Sequence, residues 1–291
     1  MPVVRRTFEG ESDLVEMQRL VAGRTGVFGV GTNLHPGDVA HRIYSGLRKH
    51  NLDETVPVWE DDHGIAAFGI IWPGFQAFDV ATRVGLSDDE RAVIVSEVIG
   101  LSEKEGRVET DVFGADETLL SVIRDLGFEK AAGGYVVTGR TLVAPSDVSG
   151  LPFILRSADM RDVVQLARVH SGAFGSDWTP ESYLRRMQKP GYIVSDEIVA
   201  VAQDGTFAGF TNTWYDDRNK IGYFEPVGVH RDFHRMGVGS ALLREGMNRM
   251  IAVGMTTATV WHSSQDEGAA TFYRSNGFEP LNTVSRWERV R

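Results

Sequence analysis

The sequence contains no cysteine. Disulfide bonds, cysteine-ligated zinc and catalytic thiols are therefore excluded, and we expect no bound metal. Long apolar runs are also missing, since the most apolar stretch, residues 65–72, is far shorter than the ~18 residues of a membrane span. The opening residues Met-Pro-Val-Val-Arg-Arg lack the apolar core of a signal peptide. We expect a cytoplasmic protein without a membrane partner.

Clustered positive charge is absent as well. The chain carries 30 Lys and Arg against 40 Asp and Glu, a net charge of −10. The first 150 residues hold 24 acidic and 14 basic residues, whereas the remainder holds 16 of each. A nucleic-acid-binding surface needs a basic patch, so we expect no nucleic-acid partner. The acidic half is explained by solubility, although it would also attract a cationic substrate.

Two short patterns recur at one spacing. Arg6 ends a Val-Arg-Arg triplet and Arg156 ends an Ile-Leu-Arg triplet, 150 positions later. Phe128 and Phe278, each in a Gly-Phe-Glu triplet, are separated by the same 150 positions. A chain of 291 residues accommodates two domains of ~100–200 residues. We predict a duplicated domain at residues 1–146 and 151–291, with the turn-forming residues 141–150 as the linker.

The second half shows an alternation of strand and helix patterns. Apolar periodicity and turn signals predict the following elements: strand 153–156, helices 162–174 and 180–187, strands 198–203 and 207–214 joined at Asp204-Gly205, strand 221–229, helix 240–253, strand 257–261, a helix from Ser264 with Glu267 completing a capping box, and a strand from 278. This order predicts an α+β fold with a mixed sheet and helices packed on it.

The segment from Val227 to Ser240 is the most informative. A strand ends at Val229, a polar loop follows, and Gly237 and Gly239 open a helix. Glycines let several backbone N–H groups face one anion, and the helix N-terminus adds partial positive charge, which suits a pyrophosphate. Arg235 can add a point contact to phosphate. Alone, the pattern is equally typical of a tight turn between a strand and a helix.

Two further features favour the anion site. Pro226 has no N–H, so the strand that contains it should be bulged or locally unpaired, and neighbouring backbone groups become available to a ligand. Downstream, Tyr273 lies on the next predicted helix and is followed by Gly277 and Phe278.

These residues together resemble the GNAT superfamily of N-acetyltransferases. That family has a strand ending in Val, a Gln/Arg-x-x-Gly-x-Gly/Ala loop opening a helix, and Tyr-x-x-x-Gly-Phe. Val229, the loop from His234 to Gly239, and the Tyr273 motif match it over residues 153–291. His234 departs from the usual Gln or Arg, and Asp266 stands where many members have Asn.

The resemblance implies two tandem GNAT-like domains, each a mixed, mostly antiparallel twisted sheet flanked by helices. The duplication, the run 166–174 and Trp178 are similar to the tandem-domain subgroup that includes mycothiol synthase. The implied acetyl donor is acetyl-CoA. Its implied contacts are Val227, Val229, His234, Arg235, Met236, Gly237, Val238, Gly239, Ser240 and Asp266, with the Val227 N–H as oxyanion donor.

The family reaction implies an acid and a base, because an amine loses a proton and a thiolate gains one. The resemblance makes Tyr273 the acid; the alternative is a core tyrosine. In a regular strand Glu225 shares the face of Tyr223 and Val229, which favours Glu225 as base, directly or through water. A rim salt bridge is its alternative role, and His262 is the competing base.

The expected acceptor is a primary amine of a small molecule. Aromatic side chains that would wall its pocket are Phe174, Trp178, Trp214 and Tyr215, with His262 nearby, although aromatics also fill cores. The first half lacks the chemistry, since Ser87, Asp89 and Ile123 stand 150 positions before Gly237, Gly239 and Tyr273. We predict a degenerate first copy in a monomer or homodimer. A non-catalytic acyl-CoA-binding or sequestering protein, and a longer acyl donor, are the alternatives.

Overall fold

The computed structural model describes residues 3–103, 106–148 and 150–290. Its α-helices are α1 (Glu11–Phe28), α2 (Pro36–His41), α3 (Leu52–Thr55), α4 (Asp88–Ser102), α5 (Glu117–Asp125), α6 (Val163–Phe174), α7 (Pro180–Met187), α8 (Val238–Ala252) and α9 (Glu267–Ser275). Its strands are β1 (Val4–Arg6), β2 (Val58–Asp61), β3 (Gly64–Trp72), β4 (Ala77–Thr82), β5 (Arg107–Phe113), β6 (Glu129–Thr141), β7 (Ile154–Ser157), β8 (Glu197–Val201), β9 (Phe207–Asp216), β10 (Ile221–Val229), β11 (Thr257–Ser263) and β12 (Glu279–Val290). Within these ranges no helix combines the length and apolar character that a membrane crossing requires.

The predicted duplication is visible in the elements. The first residues of α4 and α8 are 150 positions apart, and the same spacing separates α5 from α9, β5 from β11 and β6 from β12. The fold is α+β in both copies, as predicted.

The chain forms two compact units that do not follow the sequence repeat. One unit comprises the residues up to Thr138, Trp261–Thr271 and the residues from Pro280, while the other comprises Gly139–Val260 and Phe272–Glu279. The last strand of the chain therefore belongs to the unit of the first half. The limits 1–146 and 151–291 remain a prediction about the repeat.

The first unit has the strand order β1-β2-β3-β4-β5-β12-β6, with β6 included up to Thr138. β4 and β5 are parallel, and β12 runs antiparallel to β5, with Val284 opposite Phe113 and Val290 opposite Arg107. Trp287 of β12 joins the core that also contains Val95 of α4 and Ile123 of α5. The C-terminal strand thus supplies both pairing and core to this unit.

The second unit has the order β11-β10-β9-β8-β7, in which only the β10–β11 pair is parallel among these strands. The two faces of its sheet carry different helices. Phe210 packs with Leu166 of α6 and Tyr183 of α7, whereas Ala208 packs with Leu242 of α8. Since side chains alternate along a strand, even-numbered positions from Phe210 to Trp214 face α6 and α7, and odd-numbered positions face α8.

Several predicted boundaries need correction. α8 begins at Val238, two residues before the predicted start at Ser240. A short 3-10 turn at Met160–Asp162 precedes α6. β11 extends to Ser263, so His262 lies within the strand rather than after it. The capping box at Ser264 is wrong, because the Asp266 carboxylate accepts the Ala269 N–H at 2.9 Å and α9 begins at Glu267. Ser264 and Asp266 are both residue types that favour a helix N-cap. Because β11 extends to Ser263, the helix starts later and Asp266 is the cap.

We predict that Trp287→Ala destabilises the unit of the first half. The indole is 7% exposed, and truncation of a buried Trp costs ~3–5 kcal/mol. Hydrogen exchange in peptides covering β5 should accelerate, and the melting temperature should fall. Leu281→Ala, at a 45% exposed position of the same strand, is the matched control and should change little. Faster exchange confined to peptides 150–260 would contradict the assignment of β12 to the first unit.

Candidate functional site

The site begins with a bulge in β10. Phe224 lies opposite Thr213 of β9 and Val227 lies opposite Thr211, so three steps along β10 match two along β9. The extra residue falls at Glu225 and Pro226, and proline cannot donate to a ladder. The Trp214 indole N–H donates to the Glu225 carbonyl oxygen at 2.7 Å. The bulge expected from Pro226 is confirmed, and a tryptophan side chain holds it.

The paired register of β10 and β11 ends just before the bulge. Their parallel register runs from Ile221 opposite Thr257 to Phe224 opposite Val260. The His230 N–H donates to Ala208 of β9 at 2.9 Å. Because N–H groups alternate between the two edges of a strand, those of Val227 and Val229 point away from β9, to the edge where pairing has ended. The backbone N–H groups of Val227 and Val229 therefore lie at an unpaired edge of β10, and we call the space beside this edge the opening.

The α8 N-terminus is the second element of the site. Gly237 precedes the helix in the left-handed conformation, at φ +81°, and no side chain in the described ranges caps it. Arg235 is also left-handed, at φ +61°. Such a turn directs successive N–H groups to one side and favours an anion there. Residues 234–237 are exposed, and the His234 ring nitrogen Nε2 lies 3.1 Å from the Val229 carbonyl oxygen, tying the loop to the strand end.

Glu225 projects to the face of β10 that carries Tyr223. The Tyr223 hydroxyl, 1% exposed, donates to the Glu225 carboxylate at 3.3 Å. Val229, in contrast, packs with Val238 and Leu242 of α8. The expectation that Glu225 and Val229 share one face is wrong, because the extra residue of the bulge reverses the alternation. Glu225 is half-buried on the face toward α6 and α7.

Tyr273 lies on α9 and is 8% exposed. Its ring centroid is 6.0 Å from that of Phe278, which in turn is 6.3 Å from that of Phe224. This aromatic chain connects Tyr273 to the strand residue just before Glu225. Tyr273 and Glu225 belong to the same unit.

Residues 163–278 match the model of the acetyltransferase (GNAT) family. The matched segment lies within the second half of the chain. A curated relative, mycothiol acetyltransferase of Propionibacterium freudenreichii subsp. shermanii, is 30% identical over 142 residues, which is 46% of each protein. The chain thus matches about half the length of that relative.

Solved structures extend the likeness to the whole chain. A GCN5-related N-acetyltransferase from Sphaerobacter thermophilus aligns with TM-score 0.62 at 18% identity, covering 99% of this chain and 95% of that one. A tandem GNAT protein from the clavulanic acid biosynthesis pathway aligns with TM-score 0.66 at 11% identity, covering 99% and 98%. These likenesses confirm the fold of tandem GNAT-like domains.

The first GNAT-like copy closes the corresponding helix end with its own side chains. Ser87 accepts the Glu90 N–H at 3.3 Å, and the Glu90 carboxylate accepts the Ser87 N–H at 2.8 Å. Arg91 then donates to the Thr82 hydroxyl at 2.9 Å, across the end of β4. Two backbone N–H groups at the start of α4 are thus satisfied by side chains, whereas no side chain in the described ranges caps α8.

Three of the four aromatic residues predicted to wall the acceptor pocket share the face toward α6 and α7. Phe174 is 50% exposed, and a Cβ on Gly228 would lie 3.0 Å from its ring, so it covers β10 past the bulge. Trp178, by contrast, packs in the cluster that contains Phe210. Trp214 lies two residues beyond Asn212 on that face.

Tyr215 does not join that wall. Its hydroxyl lies 2.9 Å from the Thr213 hydroxyl. Thr213 faces α8, because a Cβ added to Gly246 of that helix would lie 3.2 Å from the Thr213 methyl group. Burial raises the pKa of the Tyr215 hydroxyl. Tyr215 therefore lies on the opposite face of β9 from Trp214, and the prediction that groups it with the other aromatics is wrong on this point.

His262 and Asp266 belong to the other unit by their contacts. His262 is 8% exposed, with Nδ1 2.9 Å from the Ser263 carbonyl oxygen. Asp266 uses its carboxylate to cap α9. Both have structural partners, and their predicted roles toward ligands remain predictions.

Sequence reasoning missed a buried carboxylate. Glu197, 0% exposed at the start of β8, accepts hydrogen bonds from the hydroxyls of Tyr183 and Tyr192, and Arg186 Nη1 lies 3.4 Å from it. Burial raises the pKa of both tyrosines well above its ordinary value. The signal in the sequence is a charged residue directly before the apolar run of β8.

We predict that Gly237→Glu abolishes acetyl-CoA binding, because it brings a carboxylate and a side chain to the open helix start. Gly254 is the matched control: it follows α8, has φ +83° against +81° for Gly237, and likewise has nothing within 4 Å of an added Cβ. Gly254→Glu should carry the same backbone strain and retain binding. Isothermal titration calorimetry measures the affinity of both variants for acetyl-CoA. Equal affinities would show that the loop is not part of the binding site.

We predict one acetyl-CoA per chain. The α4 helix end is occupied by its capping box, and the residues around it are acidic and would repel phosphate. Calorimetry on the full chain should give a stoichiometry of one. Two equivalent sites would show that the first copy still binds the donor.

Proposed function

We propose that the protein is an acetyl-CoA-dependent N-acetyltransferase that acts on a primary amine of a small molecule. The observation that carries the proposal is the combination of an uncapped α8 N-terminus with two β10 N–H groups that face the same opening. A helix N-terminus with a left-handed approach suits a pyrophosphate, and the strand donors suit amide and carbonyl oxygens. The described residues therefore fit the donor that the GNAT family uses.

The side chains around β10 can perform the proton transfers. A free amine with a pKa near ~10.4 arrives protonated at neutral pH and must lose a proton before it attacks. Glu225 carries the carboxylate that can accept this proton, directly or through water, and Tyr223 holds it on the α6 and α7 face. The Val227 N–H points to the opening and would stabilise the negative charge that develops on the thioester oxygen.

Tyr273 completes the reaction. As the new carbon–nitrogen bond forms, the carbon–sulfur bond breaks and the electron pair leaves on sulfur. The Tyr273 hydroxyl would give its proton to that sulfur, and the second proton lost by the acylated nitrogen would restore the hydroxyl. The packing of Tyr273 on Phe278 fixes the ring. Products would be the N-acetylated amine and free CoA.

We predict that Tyr273→Phe lowers kcat by ~10²–10⁴-fold while acetyl-CoA affinity stays within about twofold, because the change removes a proton donor and little packing. Thiol release against a panel of amines measures the rate, and calorimetry measures the affinity. Equal rates of wild type and variant from pH 6 to 9 would exclude Tyr273 from the mechanism. A wild type that binds acetyl-CoA and releases no thiol with any amine would favour a sequestering protein.

A further inference from the structure

Asn212 carries a buried side-chain amide without a hydrogen-bond partner among the described residues. It lies on β9 and is 1% exposed, and in the described part of the chain neither its Nδ2 nor its Oδ1 has a hydrogen-bond partner. Buried polar groups in native proteins are paired in the large majority of cases, and an unpaired amide is costly. Such a group in a functional unit calls for a ligand.

The nearest charged group is already satisfied. Glu197 lies directly opposite Asn212 on β8. Its carboxylate accepts from Tyr183 and Tyr192 and faces Arg186, so its hydrogen-bonding capacity and charge are taken up within the protein. The Asn212 amide remains outside this network.

The other neighbour of Asn212 is the bulge. Thr211 and Thr213 pair with Val227 and Phe224, so Asn212 lies opposite the extra residues of β10. Its side chain shares a face with Phe210 and Trp214, by alternation along β9. Glu225 projects from β10 to that same face. Asn212 therefore stands beside the proposed base, on the aromatic side of the sheet.

We propose that Asn212 binds a neutral hydrogen-bonding group of the acceptor, adjacent to the amine that Glu225 deprotonates. An amide both donates and accepts, so its complement is a hydroxyl or a carboxamide. A charged group is disfavoured, because Arg186 and Glu197, the buried charges that the described residues place in this cluster, pair with each other. The acceptor class is thus an amino alcohol, an amino sugar or an amino-acid amide. This inference rests on the proposed function.

Matched acceptors test the assignment. Thiol release is measured with ethanolamine and glycinamide, which carry the neighbouring group, and with propylamine, which lacks it. Wild type should prefer the first two in kcat/KM by roughly tenfold or more, since a site that loses a hydrogen-bonding partner is left with unpaired groups. Asn212→Leu should reduce that preference to near unity with unchanged acetyl-CoA affinity. Wild-type ratios retained in Asn212→Leu would overturn the inference.

Thr211→Val is the control variant. Thr211 is the preceding residue, is 0% exposed and also has an unpartnered hydroxyl among the described residues, but it points to the α8 face. In Thr211→Val, the ratio of kcat/KM for ethanolamine or glycinamide to kcat/KM for propylamine should remain that of wild type. Loss of preference in Thr211→Val would show that any change in this strand has the effect, and would overturn the assignment to Asn212.

Stability of the protein without substrate provides a readout independent of activity. If the amide is kept for a ligand, Asn212→Leu removes an unpaired polar group and should raise the melting temperature. A structural amide held by an internal water predicts a lower melting temperature, which would overturn the inference. Absence of thiol release with every amine, together with intact acetyl-CoA binding, counts against the proposed function instead. The melting temperature then decides on Asn212 alone.

Discussion

The site depends on the end of pairing between β10 and β11 after Phe224 and Val260. A continuous ladder would consume the backbone donors of Val227 and Val229. Pro226 cannot donate, and the extra residue at the bulge lets β10 stay paired with β9 while its other edge is released. Trp214 stabilises this arrangement by binding the Glu225 carbonyl group. One local defect in a strand therefore creates the donors and also turns Glu225 to its face.

The two copies of the domain differ at the N-terminal end of one helix, α4 in the first copy and α8 in the second. A helix start leaves N–H groups that must find partners. At α4 the partners are Ser87 and Glu90. At α8, 150 positions later, Gly237 stands in place of the serine, and no side chain in the described part of the sequence caps the helix. Closing a helix end with side chains stabilises the fold, whereas an open helix end favours an anion. A few side chains therefore distinguish the capped helix start of the first copy from the helix start that we propose binds the pyrophosphate.

The sequence predicted those features that single residues determine. Pro226 revealed the bulge, and the glycines around Val238 revealed the loop and helix start, because proline and glycine restrict backbone geometry directly. It could not predict the faces beyond the bulge, since the number of inserted residues depends on the partner strand. Glu225 and Val229 were expected on one face for that reason. The Glu197 cluster was missed because its partners meet only after α7 packs on the sheet.

The unpaired Asn212 fits the same physical logic. Natural folds pair their buried polar groups, and departures are concentrated where function requires them. In the second unit such departures lie together: the free edge of β10, the uncapped α8 and an amide opposite the bulge. The first unit closes its equivalent helix start and fills the end of β4 with Arg91. A leucine at position 212 would leave no unpaired amide, and we attribute the asparagine to the polar contact proposed with the acceptor.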